Sequence, residues 1–299
     1  MRYKLAGATI APIPGGGEVA SMNHPGRQIV EQRSRLPTGS ASQVLLPSPS
    51  RAEPPVVELL NLHKVFSGYV AIESLTFSVG RGEMLALLGR TGAGKSTVLN
   101  LIMGHTEPTS GTVRVVGIDP HKSSVELKGR MAVSFQTDCL LPWRTALANV
   151  ELGLEIIRKD PASRHALASS WLDRVKLAPE HRHKFPRELS GGMRQRVSLA
   201  RALAIDPELI LLDESFSQLD HATSRQLRSD FTLLAKQYRK TSILVTHRIE
   251  DALDMADRII VLGVPAVIKL ELPIDDACRR DSAWRARTTQ SISEILEDN

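Results

Sequence analysis

The chain from about residue 56 to residue 262 alternates short apolar runs with longer amphipathic segments. Residues 84–88 form a continuous apolar run, and residues 208–212 form another after the initial Glu208. Such runs are typical of strands buried on both faces of a parallel sheet. Residues 71–79 instead alternate apolar and polar side chains, as in a strand with one solvated face. The two kinds of strand, separated by helical segments, predict an α/β fold.

The segment from about 137 to 187 carries no strand signal. Leu, Val and Trp recur there at helical spacing over 145–158 and 162–177. We interpret the segment as a helical insertion between strands. Residues 263–299 predict a short strand followed by a C-terminal helix.

Residues 1–55 differ in composition from the rest of the chain. They are rich in Pro, Gly and Ser and show little hydrophobic periodicity, which predicts a disordered or loosely ordered extension. A docking arm is the alternative interpretation of this segment.

The overall composition is that of a soluble globular protein, with 42% hydrophobic and 24% charged residues among 299. The net charge of +5 permits a nucleic-acid contact, but the basic residues are scattered and no aromatic platform accompanies them, so we expect no nucleic-acid partner. Cys139 and Cys278 lie far apart in the sequence and indicate reduced thiols. No apolar run approaches the ~20 residues that span a bilayer, so any work at a membrane would need a docking partner.

A glycine-rich loop after the apolar run 84–88 fits the phosphate-loop pattern G-x-x-x-x-G-K-[ST] without a mismatch. Its glycines allow backbone N–H groups to approach phosphate oxygens, and the helix that follows points its N-terminus at them. Lys95 is expected to bridge the β- and γ-phosphates, and the Ser96 hydroxyl to bind Mg²⁺. The predicted ATP-binding residues of the loop are Gly89, Arg90, Thr91, Gly92, Ala93, Gly94, Lys95, Ser96 and Thr97.

Polar side chains end or follow three other apolar runs: Gln136, the pair Asp213 and Glu214, and His247. Ligand-facing residues collect at the carboxyl ends of strands in open α/β sheets. Adjacent carboxylates suit a Mg²⁺ ligand followed by a general base. The alternatives are two solvated acids, a plain loop glutamine and a structural histidine.

A second glycine-containing turn, Ser190 with Gly191 and Gly192, precedes a predicted helix over 194–204. It has the form of another phosphate-binding helix N-terminus, although a capped helix with a glycine entry is a fair competitor. Asp220 opens a further helix, either as its cap or as a contact across an interface.

Two turns present aromatic side chains. Phe66 or Tyr69 could stack on an adenine ring, or could pack the turn between two strands. The turn 140–143, Leu-Leu-Pro-Trp, could belong to the core or form a contact surface for a partner.

Taken in order, these motifs resemble the nucleotide-binding subunit of an ABC transporter over residues 56–262. The resemblance implies a P-loop NTPase (RecA-like) core with a mixed sheet, an antiparallel β subdomain and a helical insertion subdomain. In the family's terms, the sequence contains Walker A at 89–96, the adenine-stacking aromatic Phe66, the Q-loop Gln136, the signature Leu189, Ser190, Gly191, Gly192 and Met193, Walker B at 209–213, the catalytic Glu214, the D-loop Asp220 and the switch His247.

The family resemblance also implies a head-to-tail dimer that sandwiches ATP between Walker A of one subunit and the signature of the other. Ser190 and Gly192 would then contact the γ-phosphate, Glu214 would polarise the attacking water, and His247 would bind the γ-phosphate. The implied cofactors are ATP and Mg²⁺. The implied metal ligands are Ser96, Gln136 and Asp213.

The closer resemblance is to importer ATPases for nitrate, sulfonate and taurine, and residues 134–143 and 189–201 carry it. It implies import of a small anion through a separate membrane permease, an extracytoplasmic solute-binding protein, and a peripheral location at the cytoplasmic face of the inner membrane. An exporter or lipid-transporter ATPase, a soluble ABC-type ATPase and a non-hydrolysing regulatory subunit are the alternatives.

Four positions depart from the family pattern. Ser215 replaces Pro after the catalytic Glu, Gln218 replaces a small D-loop residue, and Arg248 replaces Asp after the switch His. Residues 265–267 lack the usual Gly-Arg. None of these departures removes a catalytic group, so the expected effect is on rate, coupling or substrate.

Overall fold

The parallel strand β5 (Met84–Leu88) lies in the interior of a large mixed sheet in the computed structural model, which describes residues 3–5, 8–10 and 53–298. The other strands are β1 (Tyr3–Leu5), β2 (Ala8–Ile10), β3 (Val57–Phe66), β4 (Tyr69–Val79), β6 (Ser110–Val115), β7 (Met131–Ser134), β8 (Leu209–Asp213), β9 (Thr241–Thr246), β10 (Arg258–Leu262) and β11 (Ala266–Pro273). The main path of the sheet is β6-β3-β4-β11-β10-β5-β9-β8-β7, which confirms the predicted mixed sheet.

The five strands β10, β5, β9, β8 and β7 run parallel to one another. Successive side chains of a strand point to opposite faces, and β5 shows this directly. Leu85 and Leu87 enter the core on one face, whereas Ala86 and Leu88 enter the core on the other. Both faces are therefore covered, which explains why these strands are apolar throughout.

The helices are α1 (Lys95–Ile102), α2 (Ala146–Ile156), α3 (Pro161–Arg174), α4 (Gly191–Ala204), α5 (His221–Gln237), α6 (Ile249–Met255), α7 (Asp276–Arg280) and α8 (Ser282–Glu297). Between β7 and β8 the chain forms α2, α3 and α4 with two short 3₁₀ turns, Pro179–His181 and Pro186–Glu188. This agrees with helices at the predicted insertion. Another 3₁₀ turn, Ser124–Leu127, precedes β7.

The antiparallel strands β3, β4 and β6 form one end of the sheet. β3 continues into a tight hairpin with β4, where Phe66 pairs with Tyr69. Ser67 and Gly68 have φ of 45° and 89° at this two-residue turn, as hairpin turns of the mirror-image kind require. The hairpin therefore presents both aromatic residues at one tip.

The two ends of the chain differ in part from expectation. Strands β1 and β2 fall within the predicted loose extension, and β1 pairs antiparallel with β11; residues 1, 2, 6, 7 and 11–52 of that prediction lie outside the described residues. After β11, the short helix α7 precedes the expected C-terminal helix α8. Among the described residues, no helix has the length and apolarity needed to cross a membrane.

Candidate functional site

The glycine loop between β5 and α1 holds a lysine side chain inside its own curve. Lys95 Nζ donates hydrogen bonds to the carbonyl oxygens of Gly89 at 2.7 Å and Arg90 at 2.8 Å. Gly94 has φ of 74°, and a Cβ at this position would lie 2.7 Å from the Ala71 carbonyl oxygen. A residue with a side chain therefore does not fit here, and the loop can bring its backbone N–H groups close to an anion.

A cavity of about 360 Å³ opens in front of this loop. Its walls come from the hairpin tip, the loop, the start of α1 and the carboxyl ends of β7, β8 and β9. The lining residues are Tyr69, Ala71, Thr91, Gly92, Gly94, Lys95, Ser96, Thr97, Gln136, Asp213, Glu214 and Val245. The structure thus brings six of the nine predicted loop residues, the glutamine and both carboxylates to one cavity, while Gly89, Arg90 and Ala93 do not line it.

The two carboxylates and the lysine perturb one another. Burial raises the pKa of Asp213, the charge of Glu214 raises it further, and Lys95 opposes the rise. Burial lowers the pKa of Lys95, while the charges of Glu214 and Asp213 counter that shift. The two acids are half-buried and the lysine is buried. Such a site favours the binding of a cation at the acids and of an anion at the amine.

Glu214 has a φ of 46°, uncommon for a residue with a side chain. Its backbone N–H donates to the Val245 carbonyl, and its Oε1 lies 3.0 Å from His247 Nδ1. The histidine side chain is 51% exposed. The left-handed turn after β8 therefore brings this carboxylate out of the strand and next to the histidine that follows β9.

A buried hydrogen-bond network lies behind Glu214, and the sequence offered no signal for it. Ser215 Oγ donates to the Ser134 carbonyl at 2.7 Å, and Gln195 Nε2 donates to Ser134 Oγ at 3.4 Å. All three residues are buried. The network joins the turn that carries Glu214 to the end of β7, two residues before Gln136, and to helix α4. Ser215, which departs from the family pattern, therefore makes a specific contact.

The signature segment lies outside the cavity just described. Ser190 caps α4 by accepting a hydrogen bond from the Met193 N–H at 3.3 Å, so the helix begins at Gly191. The predicted start at residue 194 is wrong because the serine cap satisfies the first-turn N–H and lets both glycines enter the helix. Leu189 is buried and its carbonyl accepts from Arg194.

Two further predicted residues, Phe66 and Asp220, do not line the cavity. At the hairpin tip, Tyr69 lines the cavity and Phe66 does not. The Lys64 ammonium lies over the Phe66 ring, 4.6 Å from the centroid of that ring. Asp220 caps α5 by accepting from the Thr223 N–H at 3.0 Å. Hydrogen bonds from Thr223 lower the pKa of Asp220.

The residues in the cavity fit a Mg²⁺ ion shared with phosphates. Magnesium prefers oxygen ligands and takes few of them from protein when phosphates are present. Ser96, Gln136 and Asp213 supply hydroxyl, amide and carboxylate oxygens around one cavity. Burial and then the charge of Glu214 raise the pKa of Asp213, and a bound cation would favour its ionised form. No group of three or more His, Cys, Asp or Glu side chains suited to a metal occurs in the described part of the chain.

Comparison with known proteins agrees with this geometry. The model of the ABC transporter family matches residues 72–217. The nitrate import ATP-binding protein of Synechococcus elongatus is 39% identical over 236 residues, which cover 77% of this chain and 84% of that protein. The taurine import ATP-binding protein of Yersinia pestis is 39% identical over 232 residues, covering 77% and 89%.

The bicarbonate transport ATP-binding protein of Synechocystis is 38% identical over 208 residues, covering 68% of this chain and 72% of that protein. Among solved structures, a dimer of the ATP-binding cassette MJ0796 bound to ADP and phosphate superposes with a TM-score of 0.65 at 30% identity. It covers 73% of this chain and 99% of MJ0796. The phosphate loop, the acidic strand end and these similarities together establish that the chain belongs to the ABC transporter family, as an ATP-binding subunit with the ATPase activity coupled to transport.

Proposed function

We propose that this chain is the ATP-hydrolysing subunit of an importer for a small anion of the nitrate, sulfonate or taurine type. The observation that carries the proposal is the convergence of Lys95, Asp213, Glu214 and the phosphate loop on one cavity. Relatives named for nitrate, taurine and aliphatic sulfonate import, at 37–39% identity, support the substrate class.

The phosphate loop binds the triphosphate of ATP. Its backbone N–H groups and the N-terminus of α1 face the phosphate oxygens. When ATP binds, the Lys95 ammonium leaves the loop carbonyl oxygens and binds the β- and γ-phosphates. Tyr69 or Phe66 stacks on the adenine from the hairpin tip. Ser96, Gln136 and Asp213 hold Mg²⁺, which when bound offsets phosphate charge.

Glu214 accepts a proton from the attacking water and His247 holds the γ-phosphate. The 3.0 Å contact between Glu214 Oε1 and His247 Nδ1 supports their joint action. A carboxylate in contact with a histidine keeps a defined orientation, which is what a general base needs before substrate arrives. Ser215, through Ser134, supports the same turn from behind.

The signature segment completes the site of a second subunit. Ser190 and Gly192 lie at the exposed start of α4, outside the cavity of their own chain. A helix N-terminus in this position is suited to binding a phosphate of the nucleotide held by a second subunit. The dimeric structure of MJ0796, one of the structural neighbours, supports assembly into a dimer. In the proposed head-to-tail pair, each ATP contacts both chains.

An apolar groove is suited to the membrane permease. It has a volume of about 380 Å³ and lies between the sheet and the helical insertion, with lining residues Met103, His105, Met131, Val133, Phe135, Leu152, Gly153, Ile156 and Arg201. Phe135 and Ile156 are 39% and 51% exposed, and Trp143 in the nearby turn is 71% exposed. Exposed large apolar side chains of this kind indicate a protein contact, which would hold the subunit peripherally at the cytoplasmic face of the inner membrane.

The test is purification of this chain from its native membranes in mild detergent, followed by reconstitution. The proposal predicts a permease and an extracytoplasmic solute-binding protein in the complex, and ATP-dependent uptake of nitrate, taurine or an alkanesulfonate by proteoliposomes. A permease without a solute-binding protein would indicate export or lipid transport. Ribosomal or chromosomal partners would overturn the transport assignment.

A further inference from the structure

A second and larger cavity lies away from the nucleotide site. It has a volume of about 640 Å³ and is enclosed by α5, α6, α7 and α8. It shares no lining residue with the cavity at the phosphate loop. The family motifs do not use this part of the molecule, so its chemistry requires a separate explanation.

Basic side chains dominate the lining of this cavity, which contains five basic residues and two acidic residues. Arg279 has a structural role, because it donates to the carbonyls of Asp254 and Ala256 and pairs with Asp257 at 3.1 Å. The acidic Glu250 lies 3.6 Å from His221. The remaining basic residues are Arg225, Arg228, Lys236 and Arg285.

These basic groups have donors to spare. The Arg225 side chain is exposed and makes no ion pair or hydrogen bond within the described residues. The Lys236 ammonium comes no closer than 3.8 Å to a carboxylate, that of Asp276. Arg285 directs Nη2 to Asp254 at 2.7 Å, which leaves its other N–H groups available.

The floor of the cavity has unmet hydrogen-bonding capacity. Arg228 is 2% exposed, and its buried Nε has no partner within the described residues; the buried hydroxyl of Thr232 has none either. A buried polar atom without a partner is costly, and a small polar ligand or water that reaches it removes that cost. Leu233 and Met255 provide an apolar part of the wall.

We propose that this cavity binds a small organic oxyanion. Guanidinium groups bind carboxylate, phosphate and sulfonate oxygens through paired, charge-assisted hydrogen bonds, and Arg225 and Arg285 offer such groups at the cavity with Lys236 beside them. A short apolar tail fits against Leu233 and Met255. Convergent polar groups in a half-apolar cavity of this size are typical of small-molecule sites.

The oxyanion site connects to the switch histidine through one buried carboxylate. Asp251 Oδ1 lies 2.8 Å from Arg228 Nη1 and 3.7 Å from Arg248 Nε. Arg248 directly follows His247, and α6 begins at the next residue. Arg228 also donates to Ser224 Oγ at 2.8 Å and to Asp254 Oδ2 at 3.3 Å, so an anion that binds Arg228 competes with these groups and with Asp251 for one guanidinium. We infer that a weaker contact between Asp251 and Arg228 shifts Asp251 toward Arg248, disturbs the adjacent contact of His247 with Glu214 and slows ATP hydrolysis.

Binding is tested by calorimetry with butane-1-sulfonate, on full-length protein saturated with Mg-ADP so that the anion cannot occupy the phosphate loop. We expect one saturable site per chain, weakened at least about tenfold in the double variant Arg225→Ala/Lys236→Ala, which loses two charge-assisted contacts. The matched control Arg114→Ala/Lys269→Ala removes the same charge from exposed positions on β6 and β11 and keeps the affinity. Inorganic sulfate, without a tail, binds more weakly than butane-1-sulfonate.

The coupling is tested by ATPase assays at saturating Mg-ATP. Butane-1-sulfonate lowers kcat of the wild-type protein and of the control pair, and leaves kcat of Arg225→Ala/Lys236→Ala unchanged. Absence of saturable binding, or equal weakening in both double variants, overturns the oxyanion site. Binding without any change in kcat overturns its link to His247. Because all variants retain basal hydrolysis, these outcomes are distinct from failure of the proposed transport function.

Discussion

Three structural features position the carboxylate of Glu214. It has a left-handed backbone conformation, it contacts His247, and it lies beside Asp213 in a cavity that also contains Lys95. The backbone strain is compensated by the hydrogen bond from its own N–H to Val245 and by the buried contact of Ser215. A side chain held this way is positioned before any substrate binds.

We predict that Glu214→Gln keeps ATP binding and lowers the rate of phosphate release about 10²-fold or more, because a general base contributes a factor of that order. The variant is also expected to accumulate as an ATP-bound dimer in size-exclusion chromatography. Glu126→Gln, which neutralises an exposed carboxylate outside the cavity, serves as the matched control. Unchanged hydrolysis in Glu214→Gln would remove this residue from the base role.

The ionised side chain of Asp213 lowers the stability of the fold. Its pKa is raised above 3.8, so the folded state binds the proton more tightly than the unfolded state, and the ionised carboxylate destabilises the fold at neutral pH. We predict that Asp213→Asn raises the Tm of the nucleotide-free protein by a few degrees at pH 7, since about 1 kcal/mol shifts the Tm of a chain this long by about 2–4 °C.

The gain in Tm should shrink as the pH falls through the raised pKa, where the wild-type side chain becomes neutral as well. The same variant should lose the extra thermal protection that Mg-ATP gives over ATP without metal, because a ligand of the metal is gone. A Tm difference that stays constant with pH would show that titration of Asp213 is not its cause.

At the scale of single elements, the turn that leads into α2 has two different functions. Leu140 is buried in the core, while Trp143, three residues later, is 71% exposed. Asn149 anchors the turn by accepting from the Leu141 N–H at 2.8 Å and donating to the carbonyls of Leu141 and Arg144. The turn is therefore rigid, and it presents an aromatic side chain to solvent without needing it for packing.

We predict that Trp143→Ala weakens association with the permease by about tenfold or more, because exposed Trp residues often dominate protein interfaces. The ATPase activity of the isolated subunit should not change, since the side chain does not line the nucleotide cavity. Val125→Ala, at a residue 82% exposed elsewhere, is the control. Retention of the Trp143→Ala variant in the purified complex at wild-type yield would exclude this turn from the interface.

At the scale of the whole molecule, the proposed dimer would build each nucleotide site from two chains. Lys95 lines the cavity, and Ser190 caps a helix that lies outside it. In a head-to-tail dimer, each nucleotide contacts the Lys95 of one chain and the Ser190 of the other. The two residues therefore belong to the same site only after assembly.

A mixing experiment tests this arrangement. Lys95→Ala and Ser190→Arg should each be inactive alone, because every site in either homodimer carries one defect. A mixture of the two should regain hydrolysis, because each mixed dimer has one site with intact Lys95 and Ser190. The double variant Lys95→Ala/Ser190→Arg, mixed with either single variant, provides the inactive control. No recovery in the mixture, with dimers confirmed by cross-linking, would argue against shared sites.

The N-terminal half of the nucleotide site was predictable from local sequence. The phosphate loop depends on residues that are adjacent in the chain, and its function follows from glycine geometry and a helix N-terminus. The convergence of Gln136, Asp213 and Glu214 was also predictable, because the carboxyl ends of parallel strands meet at one edge of a sheet. The fold class followed from the same alternation of buried strands and helices.

Other features depended on packing between distant segments. Ser215 and Ser134 are 81 residues apart, and their hydrogen bond exists because β7 and β8 pair in one register. The choice of Tyr69 over Phe66 at the cavity follows from a two-residue hairpin turn, and the start of α4 follows from a serine cap. The basic cavity needs four helices to enclose it. Local patterns therefore determined the phosphate-binding chemistry and the residues at the strand ends. Tertiary structure decided which other side chains contact these residues, because contacts between distant segments form only when the elements pack.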